Sequence, residues 1–256
     1  MTEYDGFGVA IADGVATITL DVSGKLNRVS MAARNQLAQV FDELGADEAV
    51  RAVVLTGAGG AFTAGGDIAA FLERSPEQLS RLAWNVAAPE RCPKPVVAEL
   101  RGFVFGVGLE LALACDFRLA ADDVQLALPE IKLGMIPGSG GTQRLARLIG
   151  LARAKDVIMR GRRVEAGEAL ALGLVTEVVA ADGLEAAVRR LLEELAELPP
   201  LALAVAKRVL NQVYDAPLHV GLEVEGLAYG LLRSTHDFRE GVEAFGEKRK
   251  PTFEGR

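Results

Sequence analysis

The chain has 256 residues, half of them apolar, enough for one large core or for a core with a helical extension. Its 28 basic and 35 acidic side chains leave a formal net charge of −7. That balance speaks against a protein that grips a nucleic-acid backbone through a basic face, although it leaves room for a local basic patch around a phosphorylated ligand.

In chain order, the opening Met1-Thr2-Glu3-Tyr4-Asp5 is acidic and lacks the charged-then-apolar pattern of a leader. Val15–Leu20 alternates with period two and predicts a strand. Leu37, Val40, Phe41 and Leu44 repeat on one helical face, and Pro76 is placed to begin another helix at its first turn. Residues 52–56 and 95–100 predict more deeply buried strands, and 124–128 a weaker one. The first two-thirds therefore alternates strand and helix, an α/β order. Beyond about residue 150 the pattern becomes helical. Leu184, Val188, Leu191, Leu195 and Leu198 form a stripe that Pro199-Pro200 should end. Residues 201–214 and 220–232 predict two further helices. The longest apolar run contains Glu110 and stops at Asp116, too short and too polar to span a bilayer. Cys92 and Cys115 do not suggest a small disulfide scaffold, so a reducing, cytoplasmic setting is expected. His219 and His236 lie far apart without companions at ligand spacing, so no metal site is expected.

Two glutamates stand where acidic side chains are locally out of place. Glu110 interrupts the apolar run from Phe103 to Cys115, and Glu130 lies between Pro129 and Ile131. A carboxylate removed from water is costly unless it is paired or its pKa rises. Two such groups facing one pocket would suit general acid–base chemistry, whereas either alone could sit on an exposed face or against an arginine. Two glycine-rich turns accompany them. Ala64-Gly65-Gly66 follows the strand at 52–56, and Gly106-Val107-Gly108 enters the segment carrying Glu110. Such turns either bend the chain tightly or let backbone N–H groups approach a ligand and hold developing negative charge. Gly138-Ser139-Gly140-Gly141-Thr142 lacks the Gly-Lys-Ser/Thr ending of a phosphate loop. Gly106-Val107-Gly108 lacks the third glycine of a dinucleotide fingerprint, so a nicotinamide enzyme is not expected. Glu99 ends a buried strand and needs a partner; Arg101 is not expected to face it along a regular strand.

Together, Ala61-Phe62-Thr63-Ala64-Gly65-Gly66-Asp67-Ile68, the run from Lys94 to Asp116, the run from Leu128 to Leu145, and the segment from Glu240 to Pro251 resemble the enoyl-CoA hydratase (crotonase) family over nearly the whole chain. The resemblance implies an α/β spiral of strand–strand–helix repeats with a C-terminal helical region, residues 1–195 forming the core with the acyl-CoA site and 196–256 an oligomerisation region. It implies an enoyl-CoA hydratase, with Glu110 activating the water that attacks C3 and Glu130 exchanging the proton at C2. The N–H groups of Ala64 and Val107 would form an oxyanion hole. Substrate and coenzyme A contacts would fall on Lys25, Leu26, Ala64, Gly65, Gly66, Asp67, Ile68, Gly106, Phe245 and Lys248, the last two often across a subunit boundary. No separate cofactor is implied, because coenzyme A arrives as part of the substrate. The implied assembly is a trimer or a dimer of trimers, with neither nucleic acid nor membrane as partner. An isomerase, hydrolase or lyase on the same fold, or a non-catalytic binding member, are the alternatives. Two departures stand out: the family commonly has glycine where this chain has Val107, and small or neutral residues where it has Glu99 and Arg101. Lys248-Arg249-Lys250 fits either a phosphate contact or a solvated basic helix end.

Overall fold

A computed structural model describes residues 2–22, 24 and 26–256. Its strands are β1 (Thr2–Tyr4), β2 (Phe7–Ala12), β3 (Val15–Leu20), β4 (Ala52–Gly57), β5 (Val96–Leu100), β6 (Phe103–Phe105), β7 (Phe117–Ala121), β8 (Gln125–Ala127), β9 (Arg163–Glu165) and β10 (Glu177–Val179). Its helices are α1 (Met31–Ala46), α2 (Pro76–Ser80), α3 (Leu82–Val86), α4 (Ala88–Arg91), α5 (Val107–Ala114), α6 (Gly141–Ile149), α7 (Leu151–Arg160), α8 (Ala166–Ala171), α9 (Leu184–Ala196), α10 (Pro200–Leu210), α11 (Leu218–Leu232) and α12 (His236–Glu247).

Seven strands form one sheet in the order β1-β2-β3-β4-β5-β7-β10, and β6-β8-β9 form a second. The first three strands are antiparallel, and from β3 to β10 the neighbours run parallel. Two parallel strands of the large sheet, β5 and β7, are each followed by a short strand of the small one before the chain turns helical. Thus β5, β6 and α5 make one turn, and β7, β8 and α6 begin the next. This is the expected strand–strand–helix spiral.

The sequence explains why the sheet is covered on both faces. Every residue of β5 is buried. Val53, Leu55, Val96 and Ala98 point into the main core with Leu37 and Phe41 of α1 and Leu109 of α5. Val54, Val97, Leu119 and Ala121 point the other way and meet Leu184, Ala187, Val188 and Leu195 of α9. Parallel strands buried on both faces read as near-continuous apolar runs, here broken by Glu99 in β5 and Arg118 in β7. The predicted stripe on α1 is buried, and Ser30 caps that helix by accepting from the Ala33 N–H at 3.0 Å. Pro76 stands in the first turn of α2 behind a Ser75–Gln78 capping box.

Several boundaries differ from the sequence expectation. The helix expected over 201–214 ends at Leu210, where Asn211 caps it and the chain turns. The strand expected over 124–128 contracts to Gln125–Ala127. Arg101 does reach Glu99, donating from Nη2 to Oε1 at 2.5 Å. Residues two apart share a side of extended chain, and β5 ends at Leu100, which frees Arg101 to fold back.

Candidate active site

The site grows from three backbone features. The first is the 26–27 turn, where Leu26 and Asn27 both have positive φ, at 48° and 56°. Such backbone in non-glycine residues persists only where the surroundings hold it. Asn27 supplies the hold: its buried side-chain amide donates to the carbonyls of Ala58 and Ala61, both at 2.8 Å, and its side-chain oxygen accepts from Val22 N–H. The Leu26 carbonyl is thereby set against Ala64, whose N–H donates to it at 2.9 Å.

That bond corrects the expectation for Ala64. An amide already committed to a carbonyl is not free to hold an oxyanion. Gly65 N–H is also spent, on the Thr63 hydroxyl at 3.0 Å. Gly66 is the member of the triplet whose N–H has no acceptor among the described residues. Glycine tolerance of any backbone hid this choice: the sequence shows that the turn is permissive, not which amide it leaves unspent.

The second feature is the entry to α5. Gly106 has φ 54°, and a Cβ there would lie 3.0 Å from Glu130 Oε1. Val107 opens the helix, so its N–H has no partner within it, and none is found elsewhere among the described residues. Gly66, Gly106 and Val107 all border one cavity of ≈ 120 Å³ that also contains both Glu110 and Glu130.

The third feature is the loop before α6. Glu110 is 2 % exposed on a helix buried along its whole length. Its Oε1 accepts two backbone bonds, from Ser139 N–H at 2.7 Å and Gly141 N–H at 3.0 Å. Gly140, at φ 102°, turns the loop so that both amides face the same oxygen. The segment excluded as a phosphate loop is therefore an anion cradle after all, holding a side chain of its own protein. Burial raises the Glu110 carboxyl above its ordinary value, and the two amides and the charge of Arg34 pull it back. Glu130 opens a short 3₁₀ turn after Pro129 and lacks such a cradle. Its Oε2 is buried with no hydrogen-bond partner among the described residues. Burial and the nearby Glu110 charge push its pKa up to about 7, against the pull of its own backbone N–H and of Arg34. Two carboxyls in one cavity thus have different environments, the arrangement that separates an acid from a base.

Arg34 was not anticipated from the sequence. It sits on the buried face of α1, 4 % exposed, and lines the same cavity. Its only trace in the sequence is a cation beside the apolar stripe of α1.

Of the remaining expected contacts, Gly65 and Ile68 line the cavity, Leu26 acts through its carbonyl, and Asp67 does not line it. Lys25 lies outside the described residues. Phe245 is 87 % exposed near the end of α12 and lines a separate groove with Leu232 and Phe253, and Lys248 caps that helix. A single chain does not bring these two to the cavity. Among the described residues no cluster of three or more His, Cys, Asp or Glu is arranged to hold a metal, and no helix is long and apolar enough to cross a membrane.

The family model described as enoyl-CoA hydratase/isomerase matches residues 10–256. The short-chain-enoyl-CoA hydratase of Clostridium acetobutylicum is 35% identical over 241 residues, 92% of this chain and 92% of that protein. The crystal structure of an enoyl-CoA hydratase from Bacillus anthracis superposes with a TM-score of 0.91 at 38% identity, covering 98% of this chain and 100% of the other. An enoyl-CoA hydratase structure from Mycobacterium smegmatis gives a TM-score of 0.91 at 30% identity, covering 97% and 98%.

Proposed function

The chain belongs to the enoyl-CoA hydratase/isomerase family, and from that premise we propose that it adds water reversibly across the 2,3 double bond of an enoyl-CoA thioester. The observation that carries this reading is the pairing, in one cavity, of a carboxyl cradled by two amides with a carboxyl whose Oε2 is buried without a partner among the described residues.

Hydration makes two demands. Negative charge develops on the thioester oxygen as water attacks C3, and a proton must leave the water while another reaches C2. The unspent amides of Gly66 and Val107 are the donors for the oxygen, Gly66 replacing Ala64 in that role. Each such donor is worth about a hundred- to a thousandfold in turnover. Glu110, whose pKa burial raises while Ser139 N–H and Gly141 N–H stabilise its carboxylate form, takes the proton from the attacking water. Glu130, held partly protonated near neutral pH, delivers the proton to C2 and helps to hold the water. Coenzyme A enters as part of the substrate, along Leu26 and Gly65 to Ile68, with Lys25, Phe245 and Lys248 as further contacts. Loss of ultraviolet absorbance from the conjugated thioester, across straight, branched and cyclic enoyl-CoAs, tests the reaction and its acyl range. Turnover of none of them would sink the hydratase reading.

Val107 contributes its N–H through the backbone, while its side chain, 3 % exposed, shapes the cavity. Val107→Gly is therefore expected to retain hydration and to shift kcat/KM by about tenfold in favour of bulky acyl chains over crotonyl-CoA, the worth of a few methyl contacts. The ratio between a large and a small substrate is the quantity to measure, because it cancels the general cost of a more flexible backbone. An unchanged ratio would remove Val107 from the acyl wall.

A cytoplasmic trimer or dimer of trimers is part of the same reading. Helix α11 buries none of its residues in the single chain, and Leu222, Leu227, Tyr229 and Leu231 are all exposed on it. Apolar faces of this kind usually mark interfaces. Light scattering is expected to report an oligomer, and a stable, active monomer at micromolar concentration would contradict it.

A further inference from the structure

Arg34 has no role in the hydration steps derived above, yet it stands inside the cavity where they occur. Seven residues of α1 are buried, and Arg34 is the one that carries charge. Its hydrogen bonds are nearly all unspent. Nη1 donates to the Ser139 hydroxyl at 3.5 Å, the outer limit for such a bond. Nε is buried without an acceptor, and Nη2 has none among the described residues. Glu110 and Glu130 lie near enough to act on it through their charge, but neither is hydrogen-bonded to it. The guanidinium rests over the Phe71 ring at 5.4 Å, which fixes its plane without using its N–H groups.

The backbone is shaped to admit it. A Cβ at Gly66 would lie 2.5 Å from Arg34 Nη2, so glycine at that position leaves the space the guanidinium fills. A buried guanidinium normally meets its donors with a carboxylate or a set of carbonyls, because leaving them unmade is costly. Apart from Glu110, Glu130 and Ser139, the side chains that line the cavity with it are apolar, among them Phe71, Leu82, Leu133 and Ile136. These side chains suit a hydrocarbon chain and give an arginine nothing to donate to.

We propose that Arg34 determines acyl specificity by receiving a carboxylate carried on the acyl chain, so that the preferred substrates are thioesters of dicarboxylic acids. This rests on the acyl-CoA reading given above. The end-on pair Nη1 and Nη2 offers two N–H groups in the planar fork that matches a carboxylate. A neutral chain of equal size would leave that fork unsatisfied and dry. The added negative charge is tolerated because Glu130, whose pKa is about 7, can take up a proton when a second anion enters the cavity.

Calorimetric titration of the purified protein with two saturated thioesters, unable to react, tests this without relying on catalysis. The probes are 4-carboxybutanoyl-CoA and its neutral isostere 5-methylhexanoyl-CoA, which share the coenzyme and differ at the chain end. The wild type is expected to bind the carboxylated thioester at least about tenfold more tightly. Arg34→Met should weaken that thioester by about a hundredfold, the scale of losing a buried charge-assisted pair, and change the isostere far less. Arg34→Lys, which keeps the charge but loses the fork, should retain part of the preference, and it carries the test together with the wild-type ratio should the Met variant not fold. Equal or tighter wild-type binding of the isostere would overturn the proposal, as would a Met variant that weakens both thioesters equally, because Arg34 would then be only a counter-charge to the two glutamates. Wild-type hydration of crotonyl-CoA is read separately. Hydration without carboxylate preference overturns the role of Arg34 alone, and carboxylate preference without hydration of any enoyl-CoA overturns the hydratase reading alone.

Discussion

Glu110→Gln is expected to lower kcat for hydration of a good enoyl-CoA substrate by about a hundredfold or more, the scale of lost general-base help. The substitution isolates chemistry from structure unusually well at this position. A glutamine carbonyl can still accept from Ser139 N–H and Gly141 N–H, so the loop before α6 keeps its anchor. Burial disfavours the ionised carboxyl, so a neutral amide removes a desolvation cost and should leave thermal stability equal or higher. What is lost is the capacity to take a proton from water. A variant that melts like the wild type and turns over hundredfold more slowly assigns the loss to that step. Wild-type-like kcat would remove Glu110 from the mechanism.

The second large effect is expected at Glu130, in both rate and pH dependence. Glu130→Gln should also cost about a hundredfold in turnover. In the wild type its pKa is raised from 4.5 to about 7, so the carboxyl is protonated below that value and ionised above it. Hydration needs the protonated form, which delivers a proton to C2. Hydration kcat/KM should therefore decline as pH rises through about 7, approaching about tenfold per unit well above it. Dehydration uses the ionised form and should lose rate as pH falls through the same region. The inflection belongs to the coupled pair, because the Glu110 charge helps to raise Glu130. Steady-state rates across neutral pH in both directions check this. A hydration profile that stays level through that region would contradict the assignment of Glu130 as the acid.

Much of this site was legible in the sequence because burial of charge is conspicuous there. Glu110 and Glu130 each interrupt apolar surroundings, and the structure places both in one cavity. The buried central strands were legible from their composition, since β4 and β5 open on the apolar runs at 52–55 and 96–98 and are covered on both faces. What escaped depends on which hydrogen bonds the backbone makes. Ala64, Gly65 and Gly66 each bring one backbone N–H to the turn, and only the Leu26 carbonyl and the Thr63 hydroxyl distinguish the spent amides from the unspent one. The cradle at Ser139 and Gly141 was read as a failed phosphate loop, because its anion is supplied from a helix about thirty residues upstream. Arg34 escaped because a cation at the edge of an amphipathic stripe normally faces water. The short strands β6 and β9 carry three residues each, too few for any period to show.

The most direct test of the central claim is hydration of crotonyl-CoA in water enriched in oxygen-18, with the product analysed by mass spectrometry. The wild type is expected to form 3-hydroxybutyryl-CoA carrying one solvent oxygen at C3, and a Glu110→Gln, Glu130→Gln double variant to form almost none in the same time. Substrate loss without oxygen incorporation, or equal incorporation by the double variant, would contradict an account in which these two carboxyls add water to the double bond.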